Sequence, residues 1–153
     1  MLRRIFFLLN SSLLAMCFVT LQTSISNLLW LSSVDMPVTI QLIISMILQD
    51  FIGMSILGAF PIIVVVLVGL SIAFLVAFLL SKVVKANSTF LYTLSGGAAL
   101  FAIVVLMPLA FYDMDLIAGA RSLVGKGVLI FGGLVAGYYF GSKLKQVNGN
   151  EMS

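Results

Sequence analysis

The apolar residues of this chain fall in long blocks rather than in alternation, and short polar stretches separate the blocks. A membrane-crossing helix needs about 20 mostly apolar residues. Four blocks reach that length, at about 5–28, 58–81, 90–111 and 123–141. The first is the least pure, with Asn10, Ser11, Ser12, Thr20, Gln22 and Thr23 set into it. The second contains the purest run, Ile62–Leu80, just after Pro61. The third holds Gly96 and Gly97 and, near its end, Pro108. Lys143 and Lys145 follow the fourth. Residues 146–153 form a short polar tail after a single helical domain of 1–145.

Between the first two blocks the pattern changes. Asp35 and Pro37 have the character of a helix start, since Asp caps free amides and Pro fits a first turn. From Val38 to Met54 a mostly apolar run is broken at every fourth position by Gln41, Ser45, Gln49 and then Gly53, with Asp50 beside the stripe. That spacing lays a polar stripe along one helical face and predicts a short amphipathic helix over 37–54. Gly53 and Pro61 bracket the expected bend into the second span. The competing reading is one long tilted helix from Val38 through Leu80.

Composition narrows the class. The chain has 153 residues, 62% hydrophobic and 8% charged, with mean hydropathy +1.26. A soluble domain is about 25% charged, so this chain lacks the polar residues to coat a water-facing surface. That excludes a soluble globular protein, a disordered chain and a nucleic-acid binder, and leaves the lipid bilayer as the first partner. Arg3 and Arg4 ahead of an apolar stretch suit a signal peptide, but no Ala-x-Ala site follows. Met16 also stands where a lipobox wants a small residue before Cys17. The first helix is therefore expected to be retained.

Charge placement sets the span count. With four spans and the N-terminus inside, Arg3, Arg4, Lys82, Lys85, Lys143 and Lys145 are all inside, six of the eight basic residues. Asp35, Asp50, Asp113 and Asp115, four of the five acidic residues, are outside with Arg121 and Lys126. A fifth span over Val38–Phe60 would move Lys82, Lys85, Lys143 and Lys145 outside, against the positive-inside rule. The expected fold is all-α: a polytopic four-transmembrane-helix bundle with a short amphipathic interfacial helix before the second span. Both termini are expected in the cytoplasm, in a bacterial inner membrane.

Three features are candidates for function. The last span carries Gly133, Gly137 and Gly141, and the second carries Gly69, Ala73 and Ala77. Such small-residue ridges let helix backbones approach closely in lipid, either within the chain or between copies. The stretch Tyr112–Ser122 concentrates Asp113, Asp115 and Arg121 at the outer face. It could bind a partner, or a carboxylate there could pair with Arg121 or cap a helix. The Gln41/Ser45/Gln49 stripe could line a polar groove, or simply face water. Asn10, Ser11 and Ser12 form a notch suited to interhelical hydrogen bonds, and Trp30, Tyr138 and Tyr139 suit interfacial anchors.

The chemistry the sequence withholds matters equally. There is no His, and the single Cys17 can form neither an internal disulfide nor a cysteine metal cage. No phosphate-binding or dinucleotide motif is present, and no cofactor or metal is expected. Asn87-Ser88-Thr89 is a glycosylation sequon on the expected inner side. No ionisable residue falls at the centre of a span, as coupled transport normally requires. The pattern thus predicts a non-catalytic membrane subunit or scaffold that packs with partners or with itself as a homo-oligomer. The rival classes are an oligomeric channel or small-solute or lipid transporter, and an intramembrane lipid enzyme built on Asp113, Asp115 and Arg121.

Overall fold

The computed structural model describes residues 2–57, 61–84, 86–110 and 117–150. Its helices are α1 (Leu2–Ser33), α2 (Ile40–Ile52), α3 (Ile62–Val83), α4 (Ser88–Phe101), α5 (Met107–Ala110) and α6 (Leu123–Asn150). A 3₁₀ turn covers Ala118–Ala120, and among the described residues there is no strand. Four helical stretches are long and apolar enough to cross a membrane: Arg3–Ser33, Ile62–Val83, Ser88–Leu109 and Leu123–Val147. They pack antiparallel in succession, so the 34–39 and 117–122 connections share one end of the bundle.

The polar residues of the first block turn out to be its inner face. Ser11, Ser12, Thr20, Thr23 and Ser24 are buried beside Ala15, Met16 and Val19. Ile5, Phe6, Leu9, Leu13, Leu21, Ile25 and Leu29 point outward. This inversion suits a lipid solvent, in which outward apolar side chains cost nothing and inward hydroxyls find partners. It also explains why α1 runs unbroken past the expected 5–28, to Ser33.

The end of α1 corrects one sequence expectation. Asp35 does not start α2. It adopts left-handed backbone, φ 56°. Its N–H donates to Ser32 O at 3.3 Å, and that of Met36 reaches back to Leu31 O at 3.2 Å. This is a Schellman closure with Asp35 in the position glycine usually takes. The N-cap of α2 is Thr39, whose hydroxyl accepts from the Leu42 N–H. Helix α2 therefore begins at Ile40 rather than at 37 and runs back along α1.

Two π-helical turns each stand ahead of a proline. A π-helical turn spans Gly53–Leu57 ahead of Pro61, and another spans Ala102–Leu106 ahead of Pro108. Proline lacks an N–H and crowds the carbonyl four residues before it, here Leu57 and Val104. Both residues lie inside the widened turns. In the second, Met107 N–H donates to Ala102 O. The first turn lies in the bend expected between Gly53 and Pro61.

At the end of the bundle nearer the chain termini, Phe74, Tyr92 and Phe140 form an aromatic cluster joining α3, α4 and α6. Phe74 stacks on Phe140 at 4.4 Å between centroids, with Tyr92 edge-on to both at 5.8 and 5.2 Å. At the other end the Ala118–Ala120 turn rests on α1 at Gln22 and Thr23. About ten residues of α1, roughly 15 Å of helix, continue past that level with α2 alongside.

Candidate functional site

The ridge glycines of α6, Gly133, Gly137 and Gly141, are filled from within the chain. A methyl group at Gly137 would overlap the Tyr92 carbonyl oxygen and stand 3.0 Å from Thr93 Cα. One at Gly133 would strike Gly96 O, and one at Gly141 would stand 2.9 Å from Thr89 Cα. Gly96 answers from α4, where a methyl would lie 2.9 Å from Gly137 Cα. Backbone thus meets backbone along α4 and α6. Gly132, beside this ridge, seats Phe18 of α1.

The small residues of α3 behave differently. Gly69, Ala73 and Ala77 face α4; Ala77 is covered, at 1% exposed, whereas Gly69 and Ala73 stay partly open. A groove of about 640 Å³ runs between α3 and α4. Gly69, Ala73 and Ala77 line it from α3; Ser95, Ala98 and Ala99 line it from α4. Ile72, Val76 and Leu80 on one side and Leu91 and Leu94 on the other make its walls. Ser95 Oγ donates to Tyr92 O at 2.9 Å, so the groove offers almost no free polarity. A methyl at Gly69 would meet only the flexible tip of Ile103, at 3.1 Å.

A polar seam lies on α1 near the 117–122 connection. Ser24 Oγ donates to Asp50 Oδ2 at 2.7 Å, joining α1 to α2. Thr20 and Thr23 lie on the same face, 2% and 4% exposed, and neither hydroxyl has a partner among the described residues. The hydroxyl of Ser55, in the first π turn, is likewise buried and unpartnered. Sequence reasoning singled out Ser11 and Ser12 on this helix but assigned Thr20, Thr23 and Ser24 no role. The signal that could have found them is the four-residue repeat of the buried pairs 11/12, 15/16, 19/20 and 23/24. Farther along α1, Ser11 Oγ donates to Ala136 O at 2.7 Å, while Ser12 bonds back to Leu8 O.

The other candidates do not assemble into a site. Asp113 and Asp115 lie outside the described residues. Arg121 is exposed and follows the 3₁₀ turn, its N–H donating to Ala118 O. The cap of α6 is Ser122, whose hydroxyl accepts from Gly125 N–H at 2.9 Å. Gln41 and Gln49 are exposed on α2, and Ser45 bonds back to Leu42 O within it. Trp30 and Tyr138 are both well exposed, as interfacial anchors must be. Among the described residues no group of three or more His, Cys, Asp or Glu could hold a metal ion. Compared with protein-family models, curated proteins and solved structures, the chain matches none.

Proposed function

We propose that this chain is a non-catalytic integral membrane subunit whose groove between α3 and α4 seats a transmembrane helix of another subunit. The carrying observation is the contrast between two small-residue ridges. That of α6 is consumed inside the chain, whereas that of α3 stays partly open at Gly69 and Ala73, beside exposed Ala98 of α4. In lipid, helices associate through close backbone approach and dispersion rather than hydrophobic drive, and a floor of Gly and Ala is what such approach requires. Charge placement supports four spans with both termini cytoplasmic, in a bacterial inner membrane. On that orientation α2 belongs at the outer face, where its apolar exposed stripe Ile40, Ile44 and Leu48 meets the lipid interface.

The test is Ala98→Leu, which places an isobutyl group in the groove from an exposed position. The chain should remain folded and monodisperse in mild detergent while its native-membrane assembly and co-purifying subunits are lost. Unchanged assembly would count against this surface. The second reading, an oligomeric channel or transporter, draws on the buried hydroxyls and carboxylate between α1 and α2. It requires flux from purified protein in liposomes.

A further inference from the structure

The seam between α1 and α2 supports an inference independent of the docking groove. Hydroxyls in this protein's helices ordinarily bond back to their own backbone. Thr93 Oγ1 donates to Thr89 O at 2.8 Å, Ser71 to Leu67 O at 2.6 Å and Ser12 to Leu8 O at 2.9 Å. Thr20 and Thr23 make no such bond, although each is more than nine-tenths buried and the same residue type does so in α4. A hydroxyl withdrawn from water and left without a partner is costly, and more so in a low-dielectric interior. Ordered water with two to four polar partners is the usual remedy.

Those partners lie along the same face. Thr20 and Thr23 are four residues and one residue from Ser24, and Ser24 holds Asp50. The half-buried carboxylate of Asp50 can accept several hydrogen bonds, of which Ser24 uses one. Gln22 stands beside the Gly119 turn. One turn farther into the bundle the chemistry changes abruptly: Ala15, Met16 and Val19 are fully buried and apolar.

We propose that Thr20, Thr23, Ser24 and Asp50 form a water-binding pocket, filled from the rim of the bundle beside Asp50 and closed below by Met16 and Val19. Water there satisfies the Thr20 and Thr23 hydroxyls and links them to the carboxylate. The pocket gives the bundle one wet end and a dry middle.

Cysteine modification in the full chain tests this. Cys17 is exposed and is first replaced by serine. Single Thr20→Cys, Thr23→Cys and Met16→Cys variants are then reconstituted in proteoliposomes, with methanethiosulfonate ethylammonium on both sides. The thiolate attacks the reagent's sulfenyl sulfur, forming a mixed disulfide and expelling methanesulfinate, and it forms only where water reaches the cysteine. The pocket predicts reaction at positions 20 and 23 at least tenfold faster than at 16. Equal rates at all three positions, fast or slow, overturn it. Slow reaction would mean that the hydroxyls turn back onto their own helix after all. Should Thr20→Cys fail to fold, Thr23→Cys against Met16→Cys decides alone.

Discussion

Ser24 and Asp50, twenty-six residues apart in sequence, are joined by a 2.7 Å hydrogen bond from the serine hydroxyl to the aspartate carboxylate. Helix α2 has no fully buried residue; this bond ties it to α1, while partly buried Phe51 packs against the core. A hydrogen bond to a charged group contributes about 1.5–3 kcal/mol. Ser24→Ala is therefore expected to speed amide hydrogen exchange across residues 40–52 by about tenfold or more, leaving α4 and α6 unaffected. Asp50→Asn, which keeps an acceptor oxygen, should do so less.

The left-handed backbone at Asp35 suits glycine better than any residue with a Cβ. Asp35→Gly should raise the thermal midpoint in detergent, by an amount corresponding to up to about 1 kcal/mol. Asp35→Val should lower it, because a β-branched residue tolerates that conformation poorly.

Two glycines of α6 should respond oppositely to the same change. Gly127 has nothing within 4 Å of an added methyl group, so Gly127→Ala should be neutral or stabilising by up to about 1 kcal/mol from helix propensity. Gly137→Ala drives a methyl into the Tyr92 carbonyl. It should destabilise by about 1–3 kcal/mol or prevent folding. Thermal unfolding of the purified pair, read side by side, checks the contrast.

Ser11 donates to Ala136 O across the α1–α6 contact. Interhelical hydrogen bonds in membrane proteins average about 0.6 kcal/mol and reach about 1.7. Ser11→Ala is expected to cost that much in reversible unfolding. Ser12→Ala, whose hydroxyl serves only its own helix, should cost less.

Long apolar runs were legible because their length and purity do not depend on neighbours. Ile62–Leu80 announces α3 from composition alone, and the four spanning stretches follow from such runs. The polar residues of α1 read as interruptions because a sequence does not say which side of a helix is inside. Ser11, Thr20 and Ser24 are in fact its buried face. Asp35 suited a helix start as well as an end, and only its positive φ decides. The two π turns follow from Pro61 and Pro108, yet their width could not be read from proline alone. The ridges at 69/73/77 and 133/137/141 have the same spacing of four, and only the opposing surface distinguishes a filled one from a partly open one. Asp113 and Asp115 lie outside the described residues, and Arg121 alone carries no chemistry.

The contact between α4 and α6 brings main chain against main chain at Gly96, Gly133 and Gly137, beside the Tyr92–Phe140 ring contact. Side chains can exchange rotamers and let two helices slide, but a glycine facing a carbonyl has no second arrangement to adopt. Helices α4 and α6 therefore act as a fixed mast. Helix α1 is tied to the same mast through Ser11 and Phe18, so a shape change is expected at α2 and α3, with the π turn at Gly53–Leu57 as the joint.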